Sequence, residues 1–364
     1  MKSFREKHPG LTEEQLRIKY KIWEREKERE RQLNEAEQKK RYRNPFKEDD
    51  EGDEGAGYAG SLDIDGSHGI VSDAALVSSS VSFYYSNRSK VFTKSDKDGK
   101  FNIPRSFGQG FVIVEGGIDS VTGLDYKGQF RIDSAFFHKY RAITPITHIA
   151  SHIWDSTPTR TPDEAMNLVL DHISHLSNIK IPKINKDHFF NNDHVKLTLD
   201  LIEGSKEIQA INTIIEIYSD LIASLKSNND SELISNKIQT YKEIGNSLLG
   251  KINRQESINY MDDFFKFHLS NQDKVHEKCC SFLINKAIKS IDKALCKDPI
   301  QATKEIQALN LAVKTEWCDK SLHMTTNKNV SPEKIWDSID KKNPMDLLGS
   351  INILETVTDD DLDL

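Results

Sequence analysis

His148 and His152 lie four residues apart in a segment whose apolar residues, Ile146, Ile149, Ala150 and Ile153, recur at helical steps. That spacing sets two imidazoles where one metal ion could take both. His172 and His175 stand on the next helical stretch. The Glu of an H-E-x-x-H motif is missing, so a catalytic zinc here would lack its general base. We read these side chains as polar or interfacial histidines instead. Asp96-Lys-Asp-Gly99 and Asp63-Ile-Asp-Gly66 resemble the opening of a calcium loop. An EF-hand loop needs Glu at its twelfth position, and those positions hold Phe107 and Ala74. An Asp-Gly hairpin turn at 98–99 is the simpler reading.

Cys279 and Cys280 lie among Phe282, Leu283 and Ile284, surroundings that bury a thiol and leave it inert. With Cys296 and Cys318 they read as free thiols made in a reducing compartment. G-x-S-x-G, P-loop and G-x-G-x-x-G motifs are absent, and no carboxylate pair stands out from the surface acids. The expectation is therefore a chain that is not an enzyme, with no catalytic residues, no metal site and no cofactor.

The elements around these residues divide the 364-residue chain into segments of different charge. Residues 1–47 carry 15 Lys/Arg against 9 Asp/Glu, residues 48–65 carry 8 acids and no Lys/Arg, and the last ten residues carry 5 acids and no Lys/Arg. The overall balance of −7 argues against nucleic-acid binding, which leaves a basic footprint on the folded domain itself. No apolar run reaches the length of a signal peptide or a membrane span, so we expect neither.

Thr12 with Gln15 has capping-box spacing, and no Gly or Pro follows before Arg43, which predicts a long N-terminal helix over 1–43. Leu16, Ile18, Tyr20, Ile22 and Trp23 cluster on it, ahead of a wholly charged run from Glu24 to Arg31. Two readings stay open: an exposed rod that docks nowhere, or an anchor whose apolar cluster docks on a partner. Residues 44–69 read as an acidic, glycine-rich linker. Over 70–135 the period changes to two. Val81, Phe83 and Tyr85 alternate with smaller polar residues, and further short strands are expected over 89–93, 100–103, 111–115 and 129–133, with turns between. After Pro145 the pattern is helical, with helices expected over 163–177, 193–226, 231–250, 255–269, 271–296, 299–322 and 332–341. Thr161-Pro-Asp-Glu164 is a complete helix start. Leu199, Ile202, Ile208, Ile211, Ile215, Tyr218 and Ile222 form one apolar stripe.

Three motifs in one order carry a resemblance: Asp96-Lys-Asp-Gly-Lys-Phe101, Gly116-Gly-Ile-Asp-Ser-Val-Thr-Gly123 and Ile143-Thr-Pro-Ile-Thr147. Residues 69–150 thereby resemble the carboxypeptidase regulatory-like, immunoglobulin-like β-sandwich domains of large bacterial surface proteins. The Asp/Asn-rich loop of many members is replaced here by Ser86-Asn-Arg-Ser-Lys90, so the resemblance implies no calcium site.

Together these features lead to an α+β, multi-domain expectation: a long N-terminal helix, a small antiparallel Ig-like β-sandwich and an all-α C-terminal bundle. The boundaries would be an anchor over 1–43, a linker over 44–69, the sandwich with its first helix over 70–153, a helical domain over 154–354 and an acidic tail over 355–364. A surface-type sandwich without a standard export signal, with free thiols and a tethered basic extension, leads to the expectation of a virion structural protein of a tailed phage. It would be made in the host cytoplasm and built into an oligomeric assembly with other capsid, neck or tail proteins. A host surface glycan or protein is a further candidate partner. The alternative expectation is a bacterial cell-surface or adhesion protein exported by another route.

Overall fold

In the computed structural model, which describes residues 64–72, 75–121, 123–157, 159–227, 229–254, 274–318 and 331–341, the alternating segments form short strands. They are β1 (Ile64–Val71), β2 (Leu76–Val77), β3 (Ser80–Tyr85), β4 (Lys90–Lys94), β5 (Lys100–Pro104), β6 (Gly110–Glu115), β7 (Ile118–Asp119), β8 (Gln129–Asp133) and β9 (Ala142–Ile143). Four of them make an antiparallel sheet in the order β4-β3-β6-β8. Its inward residues, Val81 and Phe83, Val112 and Val114, Phe130 and Ile132, are fully buried, as a two-residue period with one covered face requires. A second sheet holds β1 between β5, antiparallel, and β9, parallel, with Ile70 opposite Ala142 and Val71 opposite Ile143. A two-stranded pair, β2 with β7, is the third.

The chain is α+β, but the expected Ig-like sandwich does not form. The strands divide among sheets of three, two and four strands, one containing a parallel pair, and helices complete the core. Helix α1 (Ser134–Lys139) starts directly from β8, where the Asp133 carboxylate accepts from the Ala135 N–H. It drives Phe136 and Phe137 into the interior. Phe137 stacks on Phe101 of β5 at 6.0 Å between ring centroids and meets Phe83 of β3 edge-on at 6.3 Å. A helical aromatic thus occupies the space that interdigitated strand side chains fill in a sandwich. Alternation reveals that one face of each strand is covered; it does not reveal by what. The expected N-terminal helix lies outside the described residues.

Among the described residues every element after β9 is helical: α2 (Pro145–Ser156), α3 (Pro162–Ser177), α4 (Lys186–Phe189), α5 (His194–Leu199), α6 (Ser205–Leu225), α7 (Asp230–Arg254), α8 (Lys274–Leu295), α9 (Pro299–Val313), a π-helical turn over Lys314–Cys318, and α10 (Pro332–Lys341). Both α2 and α3 open with capping boxes, Thr144 with Thr147 and Thr161 with Glu164, and each has Pro in its first turn. The single helix expected over 193–226 is two. Leu201 and Gly204 take positive φ of 59° and 86° between them, and a Cβ at Gly204 would run into Ile184. The helix expected over 255–269 lies outside the described residues.

Helix α2 joins sheet to helices. Along the free edge of β8, the Asp133 N–H donates to Ser151 Oγ at 2.9 Å, and His148 Nδ1 stands 2.9 Å from Arg131 N and 2.8 Å from Arg131 O. Two α2 side chains three residues apart therefore close an edge that would otherwise stand open. On its other side α2 meets α7 at Gly245, where a Cβ would lie 3.0 Å from His152 Cδ2 and 3.7 Å from Ile149 Cγ2. One hydrophobic core runs from Val71 to Ile339, so the helices share the core of the sheets and do not enclose one of their own, as an all-α bundle would.

Placing a carboxylate in this joint tests it. Ile149 is fully buried, and Ile149→Asp should cost about 3 kcal/mol or more. Hydrogen exchange should show lost protection in β3 and β6 as well as in α2. Strands as protected as in the wild type would show that the sheet stands without α2.

Candidate functional site

Helix α6 is apolar almost all round. Ile208, Ile211, Ile214, Ile215, Ile217, Leu221 and Ile222 are buried on every side of it, which places it at the centre of the helical layer. Four polar residues nevertheless recur down it at steps of four, three and four: Gln209, Thr213, Glu216 and Asp220, all buried. Such steps put them on one stripe. A second polar run comes from α9 and the π turn: Gln307, Asn310 and Lys314, at steps of three and four, of which Lys314 reaches the α6 stripe.

Three contacts show that α6 and α9 run parallel. Lys206 Nζ donates to Leu295 O and Lys297 O at 2.8 and 3.2 Å, Lys314 Nζ lies 3.6 Å from Glu216 Oε2, and Trp317 Nε1 donates to Ser224 Oγ at 2.7 Å. Seven residues before the Glu216–Lys314 pair stand Gln209 on one helix and Gln307 on the other. Three or four residues before it stand Thr213 and Asn310. All four residues are buried, and none of their side-chain polar groups has a direct hydrogen-bond partner among the described residues.

The charged groups are bonded tightly. Glu216 is 0% exposed, and Lys237 of α7 reaches its Oε2 at 2.7 Å and Asp220 Oδ1 at 2.7 Å. The Tyr241 hydroxyl donates to the other Glu216 oxygen. Burial alone pushes the Glu216 carboxyl up. The ammonium groups of Lys237 and Lys314, with hydrogen bonds from Lys237 and Tyr241, outweigh it and hold the group below its ordinary value. Burial likewise pulls Lys237 down, and Asp220 and Glu216 overcome that and raise it. Two carboxylates and two ammonium groups balance without leaving the protein interior.

The network continues into the sheet. Lys237 Nζ sits 4.7 Å above the Tyr126 ring, and Tyr126 stacks on Phe130 of β8 at 5.1 Å. Tyr241 meets the His148 ring edge-on at 5.2 Å and Phe130 at 6.0 Å. This arrangement holds charge in place: it presents paired groups, not a nucleophile poised beside a base.

The residues singled out from sequence fall elsewhere. Leu16, Ile18, Tyr20, Ile22 and Trp23 lie outside the described residues. His148 serves the β8 edge, and burial lowers its pKa to about 4. His152 turns to Asn246 Oδ1 at 3.3 Å, and His172 Nδ1 to Leu168 O. Among the described residues no group of three or more His, Cys, Asp or Glu is placed to hold a metal ion. Asp96 Oδ1 accepts from the N–H groups of Asp98 and Lys100, with Gly99 at φ 71°, so the expected turn forms, but β4 and β5 belong to different sheets and it is not a hairpin. Burial pushes the Cys279 thiol up to about 12 and Cys280 well above its ordinary value. Sequence reasoning missed the seam itself. Its one signal was the regular polar stripe on helices otherwise apolar all round.

Removing one charge from the seam should cost more than removing its amides. Lys237→Met leaves Asp220 and one side of Glu216 uncompensated and should lose about 3–5 kcal/mol in urea denaturation. The paired change Gln209→Met with Gln307→Met, which deletes polar groups that have no direct partner, should leave stability unchanged or raise it by about 1–3 kcal/mol. If the paired amide change were the more damaging, those amides would hold partners that the geometry does not show.

Two fully buried histidines set an acid dependence. His148 is lowered to about 4 and His194, which packs edge-on against Phe190, to about 3, both chiefly by burial. The unfolded chain takes up a proton at each below pH ~6.5 while the folded chain does not. Stability should therefore be level above that pH and fall below it by about 1.4 kcal/mol per pH unit for each histidine, until about pH 4 for His148 and about pH 3 for His194. Urea midpoints across pH 5–7 read this directly, and His194→Phe should make the slope shallower; His152, also lowered by burial, adds to what remains.

No family model, no curated protein and no solved structure matches the chain.

Proposed function

We propose that the protein is a structural component of an assembly and not an enzyme, and specifically a virion structural protein of a tailed phage. The reading rests on the segmentation of charge. A basic segment bearing Leu16, Ile18, Tyr20, Ile22 and Trp23 is joined by an acidic, glycine-rich stretch to a folded unit. An apolar cluster on a charged segment finds cover on another molecule. A buried, charge-balanced seam that cross-links helices to a sheet is in keeping with a unit that bears load and transmits position. The segment over 1–43 is the anchor, and other capsid, neck or tail proteins are its partners.

Mass spectrometry of purified particles should find the chain at a fixed copy number. A variant lacking residues 1–43 should fold, by circular dichroism and thermal melting, yet be absent from particles. Incorporation of that variant at the wild-type level would remove the anchor. Recovery of the full chain from protease-shaved bacterial surfaces, and not from particles, would replace the virion reading with a cell-surface one.

A further inference from the structure

β8 has its free edge closed by α2, but β4, at the other end of the same sheet, does not: among the described residues no strand pairs with its outer edge. The pairing with β3 decides which groups face outward. Tyr85 N–H donates to Ser89 O and Ser95 N–H to Ser79 O, so the residues that exchange hydrogen bonds with β3 are 89, 91, 93 and 95. The N–H and C=O groups of Lys90, Phe92 and Lys94 therefore point away from the sheet. Their side chains share its outer face with Tyr84, while Val91 packs on the core. Phe92 is 56% exposed, and Lys90 Nζ lies 4.4 Å from its ring centroid and 4.7 Å from that of Tyr84. Open backbone groups, an exposed aromatic ring and two flanking ammonium groups thus belong to the same three residues.

We propose that the outer edge of β4 docks an extended, acidic segment of a partner protein as an added strand, Lys90 and Lys94 pairing with its carboxylates across Phe92. A second copy of this chain is the wrong occupant. Antiparallel pairing about Phe92 sets Lys90 opposite the other copy's Lys94, and in-register parallel pairing sets each lysine beside itself. Lysines on an edge are the usual guard against such self-pairing. The same two lysines attract a strand with Asp or Glu at the facing positions and an apolar residue between them, and the backbone bonds then supply affinity. This deepens the assembly reading by naming a partner's chemistry, but it is scored on the purified chain and does not depend on incorporation into particles.

The probe is a fluorescein-labelled peptide, Thr-Asp-Thr-Val-Thr-Asp-Thr, titrated against the full-length protein by fluorescence anisotropy at low and at high salt. Binding should weaken with salt, and hydrogen exchange at the Lys90, Phe92 and Lys94 amides should slow when the peptide is present. Lys90→Glu with Lys94→Glu, at sites exposed enough to leave the fold intact by circular dichroism, should weaken binding by about tenfold or more. That variant should instead bind the same peptide with Lys in place of Asp. Absence of binding, or binding indifferent to the charge reversal, overturns the proposal. So does a wild-type dimer in sedimentation equilibrium that Phe92→Ala dissociates, since the occupant would then be a second copy.

Discussion

A carboxylate with no access to water stays ionised only if cations and hydrogen-bond donors are brought to it, and Glu216 is such a carboxylate. Lys237 and Tyr241 come from α7, and Lys314 from the turn after α9. Each must arrive at one rotation and one height of its own helix. The positions of three helices are therefore set together by the needs of one side chain. Tyr241 and Lys237 then carry the arrangement outward, since both also lie against aromatic rings of the β-region, Phe130 and Tyr126. The junction between sheet and helices is organised around this buried charge as much as around the hydrophobic contacts that enclose it.

A slide of α6 past α9 by a turn would leave Lys314 without its partner. A purely apolar interface would oppose such a slide weakly, whereas a buried ion pair opposes it strongly. The π-helical turn over Lys314–Cys318 belongs to this arrangement. One wider turn brings Lys314 toward Glu216 and Trp317 onto Ser224, with Glu316 accepting from Ser338 of α10. The cost is several buried polar groups with no direct partner, a cost that an apolar core would avoid.

Helix α2 gives the sheet its asymmetry. The backbone of β8 is bonded by His148 and Ser151, while β4 at the far side keeps its outward groups and its exposed Phe92. One side of the sheet is thereby committed to the interior of the unit, while among the described residues no strand pairs with the other. The histidine at the committed edge stays neutral because burial, which lowers its pKa to about 4, outweighs the hydrogen bond to the Arg131 carbonyl.

Much of the local structure was legible in the residues. Thr161, Pro162 and Glu164 start α3 as their types dictate, the Asp96–Gly99 turn forms, though it leads from β4 into another sheet and closes no hairpin, and alternation over 81–85 and 111–115 marks strands. These depend on groups within a few residues of one another, so the sequence by itself determines them. The sandwich was not legible because alternation is a property of a single strand, and Phe137 of α1, not a second set of strands, fills the space beside Phe83 and Phe101. The single helix expected over 193–226 failed at Leu201 and Gly204, which take a left-handed backbone, and at Gly204 Ile184 leaves no room for a side chain. The seam was least legible of all. Gln209, Thr213, Glu216 and Asp220 form a stripe that in isolation reads as a wetted helix face. Whether such a stripe meets water or another helix is decided by residues as much as a hundred positions away, and only the tertiary structure brings Lys314 to Glu216.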